Sequence, residues 1–176
     1  HWRKVYDHDS AAIFENPNAL PRVWTVPQVR VESEETVLKA IRGESQEPFN
    51  PRELALLEPG EFRRRKLDYP SGKFASEASA KIIRYEPTHL TIETQADKDA
   101  VLVVSEINYP GWEATIDGQP AAIHTANYLL RSVIVPEGKR VVEMRYTAPA
   151  AKLGVMISLL ALLFIGVALV ITRRRN

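Results

Sequence analysis

Chemistry in this chain should be sought where aromatic and polar side chains meet at strand ends. Tyr109-Pro110-Gly111-Trp112 closes one apolar run and opens the next, while Asn127-Tyr128 begins another, with Arg131 shortly after. Flat indole and phenol rings can stack on sugar rings, and a neighbouring amide, guanidinium or carboxylate can bond the hydroxyls. Tyr109, Trp112, Asn127, Tyr128 and Arg131 are therefore the candidate glycan contacts, with Glu106 as a further polar partner. The competing reading makes Trp112 and Tyr128 core and turn-packing residues.

No reactive constellation stands beside them. There is no phosphate-binding loop, dinucleotide fingerprint, nucleophile elbow or zinc-helix motif. The four histidines are scattered, with His89 and His124 inside strand patterns, and cysteine is absent, which excludes thiol chemistry and thiolate ligands. Asp7-His8-Asp9 is too local for a coordination sphere, because adjacent residues of an extended chain point to opposite faces. No catalytic residue, metal ligand or cofactor is assigned.

The elements that must position the aromatic residues are strands. Arg22 to Val31 alternates with β-branched and aromatic residues as a strand, with Pro27 expected at an edge, a bulge or a break. Ser33 caps a short helix carrying Val37, Leu38 and Ile41, stopped by Gly43, and a strand follows within 53–58. A polar stretch over 59–79, with the cationic run Arg63-Arg64-Arg65-Lys66, reads as a long loop or a disordered connection. Strands are then expected at 80–85, 89–94, 100–107, 112–116, 120–124, 128–135 and 139–146, two of the turns being Asp117-Gly118 and Pro136-Glu137-Gly138. The fold expected over 1–151 is mainly β, an antiparallel β-sandwich of immunoglobulin-like or jelly-roll-like type with one short helix.

Leu153 to Thr172 runs without a charge and ends in Arg173-Arg174-Arg175-Asn176. Its length predicts a single C-terminal transmembrane helix over 152–172, and the arginines place the tail 173–176 in the cytoplasm. The domain would then lie on the outer side of a bacterial cytoplasmic membrane, with the lipid bilayer as its first partner. Lys+Arg 23 against Asp+Glu 22 leaves a net charge of +1, which argues against nucleic acid as a partner. The opening His1-Trp2-Arg3-Lys4 is neither a start nor a signal peptide, so the chain reads as the C-terminal piece of a longer protein.

Several short motifs also resemble those of a known family. Ser105-Glu106-Ile107-Asn108-Tyr109-Pro110-Gly111-Trp112, Ile116-Asp117-Gly118, Ala126 to Arg131, Val135 to Gly138 and Val142 to Tyr146 come in the order seen in the C-terminal region of YfhO-type bacterial membrane proteins. Asn16 to Trp24 is similar to an earlier motif of that region, although Asn108 stands where the family commonly shows another aromatic. The resemblance implies a parent like the GT-C glycosyltransferases, taking sugars from polyprenyl-phosphate donors to glycosylate envelope polymers such as lipoteichoic acid. It implies an envelope glycan or polyprenyl-linked sugar, and the parent's other membrane spans, as partners of this segment. The family's reacting acids lie in N-terminal loops outside this sequence. The segment would therefore bind glycan or brace the catalytic part, or else be a structural interaction domain.

Overall fold

The computed structural model describes residues 2–59, 74, 75 and 77–175, and within its last helix the side chains of 151, 153–166 and 172–174. The cationic run at 63–66 lies outside the described residues. An N-terminal hairpin, β1 (Arg3–His8) and β2 (Ala11–Glu15), forms a sheet of its own. Its strands are exposed throughout, and it turns at Asp9, whose φ is 50°. The sequence pattern did not mark these strands, because no buried face imposes alternation on them.

The remaining strands build two sheets. One has five strands in the order β10 (Gln119–Ala121), β9 (Trp112–Ile116), β13 (Gly138–Tyr146), β7 (His89–Ala96) and β6 (Ala78–Glu86). The other has six, ordered β3 (Val23–Val26), β8 (Ala100–Ile107), β12 (Leu130–Val135), β11 (His124–Ala126), β5 (Leu54–Leu57) and β4 (Gln28–Val31). Leu90, Ile92, Val142 and Met144 of the first sheet meet Leu102, Val104, Val133 and Val135 of the second in one buried cluster. Each such side chain stabilises the fold by roughly 1.5–3 kcal/mol on burial. The β8 run is apolar on successive residues because both its faces are covered: Val101 and Val103 join a second cluster with Trp24, Val26 and Leu57.

Two features correct the expected fold. First, the sandwich is not wholly antiparallel. The strand expected over 22–31 breaks at Pro27 into β3 and β4, and β4 pairs parallel with β5, Val29 opposite Ala55. A parallel pair needs a crossover, and α1 (Glu34–Ile41) supplies it. The Ser33 Oγ accepts from the Thr36 N–H at 3.3 Å, and Gly43 follows the helix at φ 73°. Likewise the strand expected over 120–124 divides into β10 and β11, which belong to different sheets.

Second, the expected transmembrane helix is not upheld. Residues Pro149–Arg175 form helix α2, but among the described residues no helix is long and apolar enough to cross a membrane. The orientation drawn from Arg173 to Arg175 loses its reference with it.

Candidate functional site

The inter-sheet core ends in a charge. Arg131, Val133 and Val135 are alternate residues of β12, so all three face the opposite sheet, and Arg131 is only 1% exposed. On the neighbouring β8, Leu102, Val104 and Glu106 follow the same alternation. A register shift between Leu130 and Arg131 brings the two charged side chains together. Arg131 Nη2 donates to Glu106 Oε2. The indole of Trp112, from β9 of the other sheet, lies under the guanidinium with 3.8 Å from Cζ to the ring centroid. Arg131 Nε and Nη1 are buried without a hydrogen-bond partner among the described residues, which leaves the π-face of Trp112 and the Glu106 carboxylate to compensate the cation. Burial lowers the pKa of Arg131 and the Glu106 charge opposes that shift.

Two further side chains complete the ring around Glu106. The Tyr85 hydroxyl donates to Glu106 Oε1 at 2.8 Å, and Arg22 Nη1 lies 3.6 Å from the same oxygen and over the Tyr85 ring. Tyr85 reaches this position because β6 is irregular between Ile82 and Arg84, which turns the last part of the strand. Accepting that hydrogen bond, the Glu106 carboxylate holds the phenol of Tyr85 above its usual pKa.

Beyond Trp112 lies the root of α2. Tyr146, the last residue of β13, sits opposite Trp112 in register, their rings tilted at 5.7 Å, and Tyr109 adds a third ring 6.4 Å from Tyr146. Thr147 donates twice to the Gly111 carbonyl, from its N–H at 2.8 Å and its hydroxyl at 3.1 Å. The Tyr146 N–H is held by the Thr88 carbonyl at 3.0 Å. The Tyr109-Pro110-Gly111-Trp112 turn thus grips the strand exit from which the helix starts. Gly111 has φ 105°, a conformation that side chains disfavour.

Of the five candidate glycan contacts, the structure brings Tyr109, Trp112 and Arg131 together. Tyr109 is 61% exposed; Trp112 is half-buried, packed on the core and covered by Arg131; Arg131 is enclosed. Asn127 points elsewhere. Its Oδ1 accepts from the Leu56 N–H at 2.9 Å and its own N–H donates to the Leu56 carbonyl at 2.7 Å, tying the end of β11 to β5. Asn127 and Tyr128 both have positive φ, 50° and 77°, so the strand expected from Tyr128 begins only at Leu130. Tyr85, Tyr146 and Arg22 were missed. Tyr146 was within reach of the sequence, since it closes the strand that the Trp112 hairpin pairs with; the turn in β6 that aims Tyr85 has no sequence pattern. A separate recess of about 80 Å³, between α1 and the β4–β5 pair, is lined by Arg30, Glu32, Thr36, Glu47, Phe49 and Leu56 and shares no residue with this cluster.

Comparison with known proteins adds one finding. Residues 72–158 match the family model described as bacterial membrane protein YfhO, a stretch that contains Tyr85, Glu106, Tyr109, Trp112, Arg131 and Tyr146. No curated protein and no solved structure matches the chain. The ion pair, its aromatic cover and the clasp on the helix root all lie within this stretch, which is similar to a YfhO-type bacterial membrane protein region.

Proposed function

We propose that this chain is a non-catalytic β-sandwich module of a membrane glycosyltransferase, one that draws on polyprenyl-phosphate-linked sugars to glycosylate envelope polymers such as lipoteichoic acid. Its task in this reading is bracing: holding α2 at a fixed attitude to the sandwich and so to the rest of the parent protein. The observation that supports it is the double hydrogen bond from Thr147 to Gly111, backed by the Trp112–Tyr146 ring pair. Only Thr147 and Ala148 separate β13 from α2, which leaves no free linker. The transferase activity comes from the resemblance alone. Introduced into the full-length parent, Trp112→Ala should abolish sugar transfer while the protein still accumulates in the membrane. Transfer at the parental rate would reject bracing.

A second reading, glycan contact, has the open ring of Tyr109 in its favour, with the half-buried rings of Trp112 and Tyr128 as the other candidates. Here Tyr109→Ala and Tyr128→Ala should weaken binding of envelope glycan by the chain without changing its thermal unfolding. A chain that binds no such glycan at millimolar concentration rejects this reading and leaves the first standing.

A further inference from the structure

The two ends of the sandwich differ in kind. At one end lie the turns at 97–99, 117–118 and 136–137, with exposed Asp97, Lys98, Asp99, Asp117 and Glu137. At the other, where α2 begins, Ile107, Tyr109 and Leu129 project from the ends of β8 and β12. Ile107 is 60% and Leu129 47% exposed, and they stand next to each other: Leu130 pairs with Ile107, and the Asn108 N–H donates to the Leu129 carbonyl at 2.7 Å. Water is a poor solvent for such a group, and neighbouring exposed apolar side chains at one end mark a contact surface.

We propose that this helix-proximal end rests in the headgroup layer of a lipid bilayer, with Ile107, Tyr109 and Leu129 as the inserted residues. Three observations select lipid as the occupant. The chain leaves this end directly into α2, whose described apolar residues, among them Leu153, Val155, Leu159, Leu162 and Phe164, are exposed. Residues 72–158 match a family of bacterial membrane proteins. Tyrosine, with an apolar ring and a polar tip, suits the boundary between headgroups and acyl chains, and among the described residues none in the turns of the opposite end has that character. The contact asks only that this end touch lipid; it does not require α2 to cross the bilayer, and it is independent of any transferase role. Charge at this end is mixed, Arg22 and Arg145 against Glu86 and Glu113, so apolar contact carries the interaction and added salt should leave it in place.

Because the chain has no cysteine, single labels can be placed cleanly. Tyr109→Cys and Leu129→Cys, with Lys98→Cys and Glu137→Cys as controls at the far end, would each carry a nitroxide on the full chain. Each labelled chain is mixed with vesicles of phosphatidylethanolamine and phosphatidylglycerol, and collision with oxygen is compared with collision with a water-soluble nickel chelate. The oxygen-to-nickel ratio should rise several-fold at 109 and 129 on vesicle binding and stay unchanged at 98 and 137. Labels at 109 and 129 that remain as water-exposed as the controls, on chains that float with the vesicles, reject the surface while leaving membrane association intact. Labels shielded from both reagents mean that protein covers this end, which also overturns the proposal. Chains that do not float reject the membrane association on which it rests.

Discussion

The far end of the sandwich closes with turns of Asp, Gly and Glu that need little beyond their own backbone, whereas the helix-proximal end closes with a buried cation. At the far end, Asp117 accepts from the Val141 N–H at 2.9 Å and pairs with Arg140 at 3.2 Å, both side chains partly open to water. At the other end Arg131 has left water, and its charge is matched by one carboxylate and one indole. The same two sheets therefore carry one end that tolerates change and one that does not. An uncompensated charge in an apolar interior costs several kcal/mol, while an exposed pair contributes little.

That contrast can be broken. Glu106→Ala strands Arg131 and should cost about 3–5 kcal/mol in denaturant unfolding, much the largest effect. Arg131→Met combined with Glu106→Leu should recover most of it, since an apolar pair needs no compensation. If Glu106→Ala unfolds at the parental denaturant concentration, the end is not held by this pair. Next comes Trp112→Ala, which removes a half-buried ring from the core edge and uncovers the guanidinium. A loss of about 2–3 kcal/mol is expected, and unchanged unfolding would show the indole to be an exposed platform instead.

The far end should respond more weakly and with a dependence on pH. The Val141 N–H, with Arg140 behind it, holds the Asp117 carboxyl below its usual pKa. A depressed carboxylate stabilises the fold above its ordinary titration range, and that contribution fades as pH falls through the folded-state value. Asp117→Asn should therefore melt slightly below the parent at neutral pH, with the gap closing in acid. A gap that widens in acid would contradict the assignment. Tyr85 has the opposite sign: its raised pKa favours the neutral phenol, so its bond to Glu106 is present at neutral pH and lost as pH rises through the folded-state value. The melting temperature of Tyr85→Phe should approach the parent's in strong alkali. Smallest of all, Tyr109→Ala should leave stability within about 0.5 kcal/mol, because its ring is exposed and takes no part in the buried core.

Much of the β-rich architecture was legible. Alternation in 89–94 and 139–146 and the unbroken apolar run at 100–107 mark strands whose faces are buried, since a buried face dictates residue type. Where burial does not dictate, the reading fails: β1 and β2 are exposed on both faces, and the split between β10 and β11 depends on which sheet each fragment joins. The candidate site was legible as a list of residues and not as an arrangement. Trp112, Arg131 and Glu106 stood out by type, but their contact spans two sheets and depends on a register shift in β12. Asn127 looked like a ligand for sugar hydroxyls and is spent on the Leu56 backbone. The apolar C-terminal stretch predicted a helix that crosses a membrane; α2 is a helix, but among the described residues none is long and apolar enough to cross.

The sequence by itself determined the strands with a buried face, the cap on α1, the Asp117-Gly118 turn and the set of unusual residues around Tyr109 to Trp112. All of these follow from short-range rules, periodicity and backbone preference, that act within a few neighbouring residues. Only the tertiary structure decided that Arg131 is enclosed rather than offered to a ligand, that Tyr85 and Arg22 join Glu106, and that Gly111 grips Thr147. Those contacts join residues far apart in the chain, and their geometry is set by sheet packing and strand register, which no local pattern encodes.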